Sequence, residues 1–119
     1  MKTDGYLELK TSSGTVVWVG KNNLQNDKLT LKLAAANDLW LHVKNAPGSH
    51  VILRVSEKGG EYTAEELLEA AKIAAAHSSL SEAHRADVDF TRAKYVKKPS
   101  GAKPGMVIYV NQKTIKVDF

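Results

Sequence analysis

Cysteine is absent from this 119-residue chain, which excludes disulfide staples and thiolate-ligated zinc. The fold must be held by burial of apolar surface, and the length suffices for that. Proline is scarce, at Pro47, Pro99 and Pro104, so long stretches are free to form strands and helices. No run approaches the ~20 apolar residues of a membrane-spanning helix. The opening Met1-Lys2-Thr3-Asp4-Gly5 lacks the apolar segment of a signal peptide. Internal repeats, heptads and low-complexity tracts are missing too. These absences predict one cytoplasmic domain, residues 1–119, with no membrane partner.

What is present is ordinary in bulk, with 43% hydrophobic and 25% charged residues. Seventeen Lys and Arg against 13 Asp and Glu give a net charge of +4, too small an excess to name a partner. Its distribution says more. From Arg92 to Lys103 the chain carries Arg92, Lys94, Lys97, Lys98 and Lys103, with Tyr95 among them and no acid. Cations of this kind meet a phosphate backbone and release its counterions, and a tyrosine can stack on an unpaired base. A solvated basic loop is the competing reading.

The stretch Asp38–Arg54 organises the rest. Leu39, Leu41 and Val43 alternate with Trp40, His42 and Lys44, the period of a half-buried strand. Val51, Leu53 and Val55 alternate with Ile52 and Arg54 beyond Pro47-Gly48, so the two runs read as a hairpin. A three-residue Pro47-Gly48-Ser49 loop would set Val43 opposite Leu53 and His42 opposite Arg54. One face then enters the core and the other carries Trp40, His42, His50 and Arg54.

Before it, Tyr6–Lys10 and Thr15–Val19 read as strands joined by a Thr-Ser-Ser-Gly turn. Asn22 or Asn23 caps a helix from about Leu24 to Ala35. Gly14 and Gly20 followed by Lys21 do not make a nucleotide-hydrolase loop. Five residues separate the glycines, and Asn22 stands where a magnesium-binding Ser or Thr belongs. Gly20-Lys21-Asn22-Asn23 still reads either as a capped turn or as a phosphate contact. After the hairpin, Thr63 and Glu66 form a capping-box pattern and open a helix from about Ala64 to Leu80. Leu67, Ala71, Ala74 and Ser78 would make its inner stripe. Asp87–Lys97 reads as a long strand with a bulge, 99–105 as a loop, and Met106–Val110 with Lys113–Asp118 as a last hairpin. The sum is an α+β fold, a mixed or antiparallel sheet of about six strands with two helices packed on it.

Asp38-Leu39-Trp40-Leu41-His42 followed by Pro47-Gly48-Ser49-His50-Val51 resembles the signature of the NFACT RNA-binding domain (NFACT-R) family. So do Val19–Asp27, Val96-Lys97-Lys98 and Gly101-Ala102-Lys103-Pro104-Gly105, and the resemblance runs from about Tyr6 to the end. In that family the module usually sits at the C-terminal end of ribosome-associated quality-control factors. These bind a large subunit holding an obstructed nascent chain and recruit tRNA to extend it. The large members carry further domains outside the stretch that these residues resemble, and short chains with the module alone also exist, so the resemblance fits a stand-alone member or an excised domain.

The resemblance and the residues together imply a binding module for tRNA or ribosomal RNA, without catalysis and without a cofactor. Its RNA contacts would come from Lys21, Asn22, Asn23, His42, Ser49, His50, Arg92, Lys94, Tyr95, Lys97, Lys98 and Lys103. Asp27, Asp38, Trp40, Pro47, Gly48, Gly101, Pro104 and Gly105 would shape the site. Two alternatives stand beside it. One is a small metal-dependent hydrolase using His42, His50 and an aspartate. The other is a protein-interaction module docking on the ribosome through the hairpin.

Overall fold

The computed structural model describes residues 5–119. Period-two apolar segments become strands: β1 (Tyr6–Lys10), β2 (Val16–Gly20), β3 (Leu39–Val43), β4 (Val51–Leu53) and β5 (Arg85–Arg92). Two very short strands follow, β6 (Val96–Lys97) and β7 (Ile108–Tyr109), then β8 (Lys113–Asp118). The helices are α1 (Asn23–Lys28) and α2 (Ala64–Ala76). Six strands form one antiparallel sheet in the order β1-β2-β4-β3-β5-β8, and β6 and β7 form a separate ribbon. The expected α+β class is what the chain adopts.

One face of the sheet is apolar across its centre. Val17, Val19, Leu39, Leu41, Val51, Leu53, Val88 and Phe90 pack there against Ala70, Ala71, Ala74 and Ala75 of α2. The alanines let the helix lie close on the sheet. The inner stripe is turned slightly from the expected one: Ala70 and Ala75 are fully buried, while Leu67 is half-buried and Leu68 is exposed.

The α2 N-terminus is fixed by the capping box. Thr63 Oγ1 accepts from Glu66 N at 3.0 Å, and Glu66 Oε1 accepts from Thr63 N at 3.0 Å. The same buried carboxylate takes hydrogen bonds from Thr15, Ser13 and Lys58. Burial by itself would raise its pKa. The bonds from Thr15, Lys58, Thr63 and Ser13 outweigh burial and hold it at about 2.

Five expectations are corrected by the fold. The hairpin register is Leu39↔Leu53, Trp40↔Ile52 and Leu41↔Val51, so the connection is longer than Pro47-Gly48-Ser49 alone. The slip is even, so every side chain keeps its expected face. The reason lies outside the hairpin, in the end of α2, which stops at Ala76 rather than Leu80. Ser49 N donates to His77 O, Ser79 N donates to Pro47 O, and Gly48 bridges Ser78. The turn is pulled onto the helix end instead of closing tightly.

The predicted helix 24–35 is α1 continued by a π-helical turn, Leu29–Leu33, which turns Leu29 and Thr30 inward. β5 ends at Arg92, and a 3₁₀ turn, Ala93–Tyr95, supplies the phase shift before β6. Finally, β7 does not pair with β8. It pairs with β6 through Val96↔Tyr109 and Lys97↔Ile108, while β8 closes the large sheet against β5.

Candidate nucleic-acid interface

The second face of the sheet carries the polar and aromatic side chains singled out in the sequence. It is covered by α1, its π-helical turn and the β6–β7 ribbon. Trp40 is fully buried there with Leu29, Ile52 and Val96. Its ring lies 4.5 Å from that of Tyr109, 5.4 Å from His50 and 5.8 Å from His42, centroid to centroid. Trp40 is therefore a core residue rather than a stacking platform.

Asp38 opens β3 and is 0% exposed. Its carboxylate accepts from Ala35 N (2.9 Å), Ser56 N (3.0 Å) and Arg54 Nε (2.8 Å). A buried charge with three donors is paired, and it ties the end of the π turn to the end of β4. The Arg54 guanidinium so held lies 3.9 Å over the Trp18 ring.

His50 is 1% exposed. Its backbone N–H donates to Asn26 Oδ1 at 3.1 Å, and its Nδ1 lies 2.7 Å from Thr30 Oγ1. Burial, with the neighbouring His42 as a lesser cause, pushes its pKa down to about 4, so it is neutral at pH 7. His42 is half-buried, donates from Nδ1 to Val43 O at 2.6 Å, and is likewise lowered by burial. Both histidines face the ribbon layer and its loop. His50, expected from the sequence to contact RNA, is closed off from solvent in the layer beneath α1.

The loop after β6 is clamped onto α1 by Asp27. Gly105 N donates to Asp27 Oδ1 at 3.0 Å, and Lys98 Nζ lies 3.1 Å from Asp27 Oδ2. The same ammonium donates to the carbonyls of Lys103 (2.6 Å) and Met106 (3.2 Å). Lys98 thus closes its own loop and is not a free cation. Gly105 has φ +85°, and a Cβ there would stand 2.7 Å from Asn23 Oδ1. Both facts require glycine.

Arg92 also departs from its expected place. It donates to the carbonyls of Asn37 (2.8 Å) and Gly60 (2.6 Å) and lies 5.3 Å from the Tyr62 ring, beside the α2 layer. Lys94, Lys97 and Lys103 remain exposed, and Tyr95 is half-buried with Lys94 Nζ 5.4 Å from its ring. Lys97 projects with Ile108 from the outer face of the ribbon.

At the other end of α1, a cleft of about 340 Å³ opens where three turns converge. Lys21, Asn23, Ser49, His77 and Ser79 line it, with Asn26 among them. The Asn22 side chain accepts from Gln25 N at 2.9 Å, so the capped-turn reading of Gly20–Asn23 is realised there. Asn23 belongs both to this cleft and to the packing against Gly105. The cleft and the loop are therefore neighbours along one surface. Sequence reasoning missed His77, Ser79 and Asn26, because what makes them neighbours of Ser49 is the docking of the Pro47–Ser49 turn on α2.

The carboxylates available to a metal centre are occupied elsewhere: Asp38 by Arg54 and two amides, Asp27 by Lys98 and Gly105. Among the described residues no group of three or more His, Cys, Asp or Glu is arranged to hold a metal ion. Nor is any helix among them long and apolar enough to cross a membrane.

Comparison with known proteins matches residues 6–111 to the family described as NFACT protein RNA binding domain. The chain is 46% identical over 108 residues to the Rqc2 homolog RqcH of Bacillus subtilis, covering 91% of this chain and 18% of that protein. It is 43% identical over 109 residues to the Rqc2 homolog RqcH of Streptococcus suis, covering 92% and 19%. A solved structure described as the C-terminal of the fibronectin/fibrinogen-binding protein from Streptococcus suis superposes with a TM-score of 0.90 at 39% identity. That match covers 99% of this chain and 47% of the other. The chain thus spans under a fifth of the length of these curated relatives and about half of the solved one. The family match takes in both clamped turns, the buried Trp40 layer and the lysine-bearing loop, and the chain belongs to the NFACT protein RNA binding domain family.

Proposed function

We propose that this chain binds structured RNA, tRNA or ribosomal RNA, in the service of ribosome-associated quality control in the cytoplasm, and that it does so without chemistry. The RNA would lie along the surface that joins the cleft at Lys21 and Ser49 to the loop at Lys103, with Lys97 and Lys94 extending it. The single observation that carries this is the clamp on Asp27. It rests the basic, glycine- and proline-containing loop against the helix whose first residue, Asn23, lines the cleft. Exposed ammonium groups on a fixed scaffold neutralise phosphates and release counterions, which favours binding and makes it salt-dependent.

Relative to the sequence reading, this proposal leaves Lys98, Arg92 and His50 out of the contact set and gives them a structural part, beside Trp40, whose expected part was already structural. His42 reaches the ligand at most along an edge.

Equilibrium binding of the folded chain to an unmodified tRNA, repeated across a salt series, tests the proposal. Affinity should fall linearly on a log–log plot with a slope set by the number of phosphates contacted. A flat salt dependence or no binding at low salt would overturn it.

A protein-docking reading keeps one observation of its own. Met106, Ile108 and Val110 alternate along the ribbon and are each more than half exposed. Binding of ribosomal proteins that survives nuclease treatment would favour that reading.

A further inference from the structure

We infer that the cleft between Lys21, Asn23, Ser49, His77 and Ser79 is a subsite for a single unpaired nucleotide of the bound RNA. The inference rests on the RNA-binding reading above and adds the form of RNA selected.

The cleft is built rather than incidental. Its wall is the Pro47–Ser49 turn, fixed to the end of α2 by Ser49 N→His77 O at 3.0 Å and Ser79 N→Pro47 O at 2.9 Å. Gly48 lies so close to that helix end that a Cβ would stand 2.8 Å from Ser78 Cβ and 3.1 Å from Val43 Cγ2. Asn26 also lines it, itself 4% exposed and locked by His50 N on its Oδ1. Two rigid turns and a buried amide thus frame the cleft before any ligand arrives.

Its chemistry suits a nucleotide. No acidic side chain lines it, so a phosphate meets no repulsion, and Lys21 supplies a cation at its edge. The lining amides, hydroxyls and imidazole can donate and accept, as reading a base edge demands. No large apolar side chain lines it, which argues against a lipid or an apolar peptide anchor. The volume of about 340 Å³ lies at the small end of ligand sites, roughly 300–1,000 Å³. A base held in an A-form helix presents its edges only in a shallow minor groove or a narrow, deep major groove, and it cannot enter such a cleft. An unstacked loop or bulge nucleotide can.

The test uses the intact chain and two RNAs of equal length and charge, a hairpin with an unpaired loop and a fully paired duplex. Fluorescence anisotropy should show the hairpin bound about tenfold more tightly, the size expected of one well-placed base contact. Ser49→Ala combined with His77→Ala should remove that preference and leave the salt slope unchanged. The companion variant Lys103→Ala should weaken both RNAs and keep the preference. Circular dichroism confirms that each variant is folded. Equal affinity of the wild type for the two RNAs, or a preference that survives the double variant, overturns the inference while leaving RNA binding intact. Failure to bind either RNA overturns the reading beneath it as well.

Discussion

The two faces of the central sheet are both buried, and they are built on different rules. The face under α2 is aliphatic, with Val17, Leu41, Leu53 and Val88 against a floor of alanines. Nothing on it needs a specific partner, and burial alone stabilises it. The opposite face holds Trp40, His42, His50 and Asp89 beneath α1 and the ribbon. There the imidazole and the carboxylate are met by named partners, Thr30 for His50 and Tyr109 and Thr114 for Asp89, while the buried Trp40 Nε1 has none. The first face makes a fold; the second fixes where two loops sit. A polar layer costs more to assemble, and in return it specifies geometry.

Truncating one buried side chain on each face sharpens this contrast. Trp40→Ala should destabilise by ~3–5 kcal/mol and Leu53→Ala by ~2–5 kcal/mol in urea unfolding. A loss below ~1 kcal/mol for Trp40→Ala would mean that the second face is a cover and not a core.

The polar face should also respond to pH where the aliphatic one does not. His50 has a folded pKa of about 4 against an ordinary 6.5, so below pH 6.5 the unfolded chain binds the extra proton. Stability is therefore full above pH 6.5 and falls as pH drops toward 4, by up to ~3 kcal/mol. His50→Gln should flatten that stretch of the curve in thermal melts. Glu66 has a folded pKa of about 2 and adds a separate loss only below pH 4.5, so the two windows can be told apart. An unchanged melting temperature between pH 7 and pH 5 would contradict the buried, neutral His50.

A smaller effect separates clamp from contact within one dipeptide. Lys98→Ala breaks the pair with Asp27 and the two carbonyl bonds, and should cost ~1–2 kcal/mol of stability. Lys97→Ala touches none of these and should leave stability within ~0.5 kcal/mol. Its effect belongs to RNA binding, a salt slope lower by ~1 unit.

The strands of the aliphatic face and the capping box were legible in the sequence. Alternation in Leu39–Val43 and the Thr63–Glu66 spacing are local signals, and local signals are what a single chain displays. It also announced which side of β3 Trp40 and His42 would take, because the true register differs from the expected one by an even slip. The register itself was hidden, since the Pro47–Ser49 turn is held by α2 and not by its own strands. The partner of β7 was hidden for a similar reason. A two-residue strand is placed by Tyr109 packing on Trp40, not by its own pattern. Lys97 and Lys98 look identical on paper, and what distinguishes them is the partners of Lys98, Asp27 far earlier in the chain and the carbonyls of Lys103 and Met106. Among the candidate RNA contacts, composition pointed to the loop, and tertiary pairing decides which of its cations remain available.

The most direct test of the central claim, that free cations on a clamped loop and at the cleft grip a polyanion, is tRNA binding by Lys21→Ala/Lys103→Ala across a salt series. The salt slope should fall by ~2 units with unfolding stability unchanged. An unaltered slope in a folded variant would contradict it.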